Sequence, residues 1–203
     1  MAKKLEGKRV AMIVTDGFEQ IELTSPKEAL EREGAIAEIV SPKEGKVKGW
    51  KLVEWGDEFS VDVPLAQATV DDYDALVLPG GVMNPDKLRV LPEMRKLVKA
   101  FFDAGKPVAA ICHGPWSLID AGVVEGRNMT SWPSLQTDLV NAGADWVDAE
   151  VIVDDGLVTS RKPEDLPAFN AKMIEEIEEG LHGEARKART ASRGQAQRTS
   201  APR

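Results

Sequence analysis

Cysteine is almost missing from this chain: Cys112 is the single thiol in 203 residues. One thiol closes no internal disulfide, so the sequence points to a reducing compartment, the cytoplasm. Histidine is scarce too, with two in all. Without a cluster of histidines or thiols, a metal centre has little to build on, and no metal or other cofactor is expected. No apolar run approaches the roughly 18 residues that a membrane helix needs. Met1 to Arg9 is basic, but Val10 to Val14 is too short for a signal-peptide core and no small-residue cleavage site follows. Positive charge is in deficit, with a formal net charge of -8, which argues against a surface built for nucleic acid. The absence of Gly-X-Ser-X-Gly excludes the serine-hydrolase elbow. Asn128-Met129-Thr130 matches a glycosylation sequon, read as chance without secretion.

What is present is an ordinary globular composition, 42% hydrophobic and 30% charged, enough for one domain with a sizeable core. Val10–Val14 reads as a buried strand closed by Thr15-Asp16-Gly17. An amphipathic helix follows over Leu23–Glu33, with Pro26 in its first turn and Gly34 at its end. Ala35–Val40 is a second strand, and residues 45–63 form a β-hairpin or small antiparallel lobe in which Trp50 and Trp55 serve packing or an interface. Tyr73–Pro79 is a strand running into Gly80-Gly81. Pro92–Ala104 is a helix with Met94, Leu97, Val98 and Phe101 on one stripe. Val108–Ile111 is the central strand and Trp116–Ala121 a helix. Ser134–Ala142 is helical, Glu150–Asp154 and Leu157–Ser160 are strands, and Glu164–Leu181 closes the domain. Strands alternating with helices imply an α/β, mostly parallel sheet covered on both faces. Residues 1–183 are taken as this domain; the basic segment 184–203 lacks large apolar residues and is expected to be a disordered, solvated tail.

Cys112 sits where the central strand turns sharply, at Gly114-Pro115, into a helix. Such an elbow lifts one side chain to the carboxyl edge of the sheet, and the following helix's amide end favours thiolate over thiol. A buried structural cysteine is the competing reading. Two more turns, Asp16–Gln20 and Gly80–Asp86, follow parallel strands and converge on the same edge. Glu19 offers a carboxyl that burial would keep protonated, able to donate to a thiolate. Gly80 and Gly81 allow close backbone approach and an amide for an oxyanion. His113, with its own amide, is the better-placed histidine, since His182 lies by the tail. His182-Gly-Glu184 has the letters of an amidotransferase triad's second half but follows the closing helix, and is read as chance.

Asp16-Gly-Phe-Glu-Gln-Ile-Glu22, Ala75-Leu-Val-Leu-Pro-Gly-Gly81, Lys106-Pro-Val-Ala-Ala-Ile-Cys-His-Gly-Pro115 and Trp146-Val-Asp-Ala-Glu-Val-Ile-Val153 together resemble the PfpI family of the DJ-1/PfpI superfamily. The resemblance spans roughly residues 8 to 180. It implies a flavodoxin-like three-layer sandwich of the class I glutamine amidotransferase type, assembled as dimers or hexamers with the site near an interface. Members have been described as intracellular cysteine peptidases, as deglycases or glyoxalases acting on methylglyoxal and glyoxal adducts, and as stress chaperones. Carried over by position, Cys112 is the nucleophile, His113 its partner and Glu19 the acid at the sulfur, with the amides of Gly81 and His113 as oxyanion donors. Asp86 stands where peptidase-like members usually have a glutamate that reaches the histidine from a neighbouring subunit, in a loop about one residue longer. The expectation is a cysteine hydrolase of small carbonyl adducts or peptides. A thiol redox sensor or chaperone without turnover is the alternative, and nucleic-acid binding by the tail is a third and weaker reading.

Overall fold

Apolar side chains of the first strand point alternately into two separate cores, and that alternation sets the architecture. The computed structural model describes residues 3–183, so the expected tail at 184–203 lies outside the described residues. In chain order come β1 (Arg9–Ile13), β2 (Phe18–Glu19), α1 (Gln20–Arg32), β3 (Ile36–Ser41), β4 (Lys46–Lys51), β5 (Glu54–Ser60) and β6 (Val63–Pro64). Next are β7 (Ala75–Leu78), α2 (Met83–Arg89), α3 (Pro92–Asp103), β8 (Val108–Ile111) and α4 (Trp116–Asp120). The last part holds β9 (Asn128–Met129), α5 (Gln136–Asn141), β10 (Asp145–Trp146), β11 (Val151–Asp154), β12 (Leu157–Ser160) and α6 (Leu166–Glu179).

Seven strands form the central sheet in the order β11-β12-β8-β7-β1-β3-β6. Every pairing is parallel except the β11–β12 hairpin. On one face Ala11, Ile13, Leu76, Leu78, Val108 and Ala110 pack against Met94, Leu97, Val98 and Phe101 of α3. On the other, Val10, Met12, Val77, Ala109 and Ile111 meet Leu23 and Leu30 of α1 and Phe169, Met173 and Ile177 of α6. Strands buried on both faces need continuous apolar runs, which is why β7 and β8 contain no polar residue. Each fully buried large side chain, such as Phe101 or Phe169, contributes about 1.5–3 kcal/mol. The expected flavodoxin-like α/β sandwich is the observed fold.

Two departures matter for the site. α1 begins at Gln20, three residues before Leu23, so Pro26 lies inside the helix. There it forgoes the bond to the Glu22 carbonyl, a loss the packing of its buried ring offsets. The segment after Gly81, read as a turn, contains the helix α2. The hairpin forms as β4–β5, with Trp50 directly opposite Trp55 and their rings edge-to-face at 5.3 Å. Its tip stands beside the start of α1.

Gly114 marks how tightly the carboxyl edge closes. A Cβ there would lie 2.3 Å from the Leu78 carbonyl oxygen and 2.9 Å from that of Ile111, both backbone atoms that cannot swing aside. Gly114→Ala is therefore expected to lower unfolding stability by about 1–3 kcal/mol. Urea denaturation checks this, and an unchanged midpoint would contradict the tight closure.

Candidate active site

The turns after β1, β7 and β8 meet at the carboxyl edge of the parallel sheet. Cys112 follows β8 directly, with φ +60°, a left-handed conformation rare for a residue with a side chain. That geometry costs about 1–2 kcal/mol, and it is held by hydrogen bonds on both sides. The Cys112 amide donates to the Ser160 carbonyl at 3.0 Å, and its carbonyl accepts from the Trp132 amide at 2.9 Å. The elbow thus turns the thiol back over the end of β7. Gly80 makes room: a Cβ there would sit 2.7 Å from Cys112 Cβ, 2.7 Å from Glu22 Oε2 and 2.8 Å from the His113 nitrogen. Gly81, at φ +75°, would bring a Cβ to 2.6 Å from the Glu19 amide and the Gly17 carbonyl. Only glycines let the three turns come this close.

The amides of Gly81 and His113 both donate to the Cys112 sulfur. These two, rather than the amide end of the five-residue α4 that starts at Trp116, supply the positive end of the site. The acid at the sulfur is Glu22, not Glu19. Glu22 is fully buried on the first turn of α1, its Oε2 accepts from the Gly80 amide at 2.9 Å, and its carboxyl hydrogen-bonds the thiol. Burial above all pushes its pKa up to about 8, against the opposing pull of those hydrogen bonds. Burial also raises the Cys112 thiol, followed by the charge of Glu22, while the Gly81 and His113 amides pull it down. The contribution of Glu22 to that rise vanishes if Glu22 keeps its proton. A protonated Glu22 then becomes a donor beside the sulfur, where the two amides point.

Glu19 instead lines the neighbouring cavity. Its Oε2 accepts from the Leu52 amide at 3.4 Å, and partial burial raises its pKa. That cavity, about 590 Å³, is walled by Glu19, Ile21, Lys51, Leu52, Trp132 and Lys162 among others. Asp86 is exposed on the first turn of α2, and no hydrogen bond or ion pair joins it to His113 among the described residues. The expected Cys–His–Asp arrangement is thus not formed within one chain. His113 places Nδ1 3.2 Å from the Cys112 sulfur, with Ser134 Oγ a long 3.5 Å from Nε2. Its ring stacks on Trp132 at 5.8 Å and meets the edge of Trp116 at 5.3 Å. Burial lowers its pKa to about 4, so the imidazole is neutral at physiological pH.

A buried carboxyl and two backbone amides gathered on a strained cysteine, at the end of a parallel strand, is the arrangement against which relatives can be compared. The model of the DJ-1/PfpI family matches residues 8–176. The chain belongs to the DJ-1/PfpI family. Within it, the chain is 43% identical over 166 residues to a deglycase of Pyrococcus abyssi, covering 82% of this chain and 97% of that one. It is 42% identical over 174 residues to general stress protein 18 of Bacillus subtilis, covering 85% and 99%. The crystal structure of Drosophila melanogaster DJ-1beta superposes with a TM-score of 0.76 at 31% identity, covering 84% of this chain and 90% of that one. Among the described residues no helix is long and apolar enough to cross a membrane.

Glu22 was legible, though not taken up in the sequence. Extending the buried stripe Leu23, Pro26, Leu30 back by one turn places an acid in an apolar row, which is the mark of a perturbed carboxyl. The pH dependence of stability follows from two groups with opposite signs. Glu22 is raised from 4.5 to about 8, so its contribution is complete below pH 4.5 and lost as pH rises towards 8. His113 is lowered from 6.5 to about 4, so its contribution is complete above pH 6.5 and lost as pH falls towards 4. The two oppose each other between pH 4.5 and 6.5, leaving Glu22 alone from 6.5 to 8. Denaturant titrations should show the wild type losing stability from pH 6.5 to 8 relative to Glu22→Gln. Parallel curves would mean that Glu22 is ionised throughout.

Proposed function

We propose that this protein is a cysteine-dependent hydrolase of small carbonyl compounds, acting on α-oxoaldehyde adducts of amines or thiols in preference to folded proteins. The observation that carries the reading is the convergence of two amide donors and one buried carboxyl on the Cys112 sulfur. With Glu22 holding the proton, the thiolate attacks the carbonyl carbon, a sulfur–carbon bond forms and the C=O pair moves to oxygen. The Gly81 and His113 amides are within reach of that new charge and need no reorganisation to meet it. For an adduct, His113 first takes the carbinol hydroxyl proton, that O–H pair closes the aldehyde C=O as the C–N or C–S bond breaks, and the amine or thiol leaves with the same proton. After attack on the aldehyde carbon, a proton shift through an enediol turns the bound hemithioacetal into a thioester. Water then gives a proton to neutral His113, cleaves the sulfur–carbon bond to release a 2-hydroxy acid, and the thiol is restored.

Size supports the small-substrate reading. Cys112 is only 6% exposed, so a slim carbonyl fragment reaches it more easily than a folded chain. The adjoining cavity has room for the carrier, with Lys51 and Lys162 suited to a carboxylate and Glu19 and Glu164 to an amine. In a homodimer or hexamer, exposed Asp86 would be offered to the imidazole of a neighbouring subunit.

Cys112→Ser should lower turnover of methylglyoxal adducts by at least on the order of a thousandfold; undiminished turnover of both adducts and peptides overturns the reading. Protection that appears only after peroxide, with no turnover before it, would favour a redox sensor instead. The role of Glu22 has its own check in the pH dependence of Cys112 alkylation. Glu22→Leu should raise the thiol pKa by removing a donor, whereas a fall would make Glu22 the charged partner.

A further inference from the structure

The proposed chemistry leaves the second histidine unused, yet its position is specific. His182 follows α6, and its amide donates to the Gly105 carbonyl at 2.7 Å, pinning the segment to the amino edge of the sheet, a strand length from Cys112. Its ring lies over Gly156, where a Cβ would come within 2.8 Å of Cδ2. A glycine at that turn is what seats the imidazole. From there Nε2 reaches Glu176 Oε2 at 3.3 Å, and one ligand atom each from Glu176, Glu179 and His182 all lie within 4.8 Å of one another.

We propose that Glu176, Glu179 and His182 form a binding site for a divalent transition cation, Zn²⁺ being the best fit. One imidazole and two carboxylates are a donor set that zinc accepts, at about 2.0–2.2 Å per bond, with a fourth position left to water. Ligands around a tetrahedral zinc sit roughly 3.4 Å apart, and a rotamer change of exposed Glu179 closes the remaining distance. Two carboxylates balance the charge of the ion. The site also lies at the carbonyl end of the 14-residue α6, whose dipole favours cations. Beside the ring is a cavity of about 20 Å³, room for one water, lined by His182 and by Asp155, whose Oδ2 is buried without a hydrogen-bond partner. The charged groups on the packed elements are Lys106, held by the Val70 and Tyr73 carbonyls, and Arg127, bonded to the Asp154 carbonyl. Bound there, the ion would clamp the end of α6 to the Asp155-Gly156 turn.

The competing account is a plain His182–Glu176 ion pair, and Glu179 separates the two. It makes no hydrogen bond or ion pair among the described residues, so only the metal site needs it. The test is calorimetric titration of untagged, chelator-stripped full-length protein with zinc chloride, in a Cys112→Ser background so that the thiol cannot compete. One saturable site per chain is expected, together with a rise in melting temperature. Adding Glu179→Gln should leave the metal-free melting temperature unchanged and weaken zinc binding at least tenfold; His182→Gln should abolish it. No saturable binding, or binding indifferent to Glu179→Gln and His182→Gln, overturns the proposal. Loss of turnover in the Cys112→Ser chain bears on the hydrolase reading alone and leaves this one untouched.

Discussion

Two buried acids, each held back from ionising by burial, organise this molecule. Glu22 and Cys112 face each other with almost no water to disperse charge, so the pair resists carrying two negative charges. The neighbours decide where a single charge resides. Gly80 spends its amide on the carboxyl, while Gly81 and His113 direct theirs at the sulfur. A carboxyl at a helix start would ordinarily ionise readily, and burial reverses that preference here.

The sheet serves this arrangement by bringing remote segments to one edge. Parallel strands point their carboxyl ends the same way, and the turns after β1, β7 and β8 consequently share a rim. Glycine at 80, 81 and 114 lets those turns approach until backbone touches backbone. The tryptophans on either side of His113 keep the imidazole dry and therefore uncharged. A neutral imidazole keeps a ring nitrogen able to accept a proton.

Much of this was legible in the residues. The β7 and β8 runs, the amphipathic α3 and the elbow at Cys112 follow from periodicity and from the breaking power of Gly114-Pro115. The acid at the sulfur was misplaced by one helical turn. Starting α1 at Leu23 leaves Glu19 and Glu22 both in a loop, with nothing to choose between them. Starting it at Gln20 turns Glu22 inward and Glu19 towards the cavity. α2 was missed because Val82-Met-Asn-Pro carries the marks of a turn, and its hold is tertiary: Asn84 donates to the Pro79 carbonyl and accepts from the Thr15 amide. His182 had no visible role because its seat, Gly156, comes from a distant hairpin.

The left-handed backbone at Cys112 also bears on how the chain acquires its chemistry. In an unfolded chain that residue occupies ordinary regions, and its sulfur behaves as any free thiol does. Its left-handed angle and its buried neighbour exist only once strands distant in sequence have been joined, a slow step in parallel topologies. The geometry around this sulfur is thus conferred by completed tertiary structure, and newly made polypeptide carries a commonplace cysteine until its last contacts form.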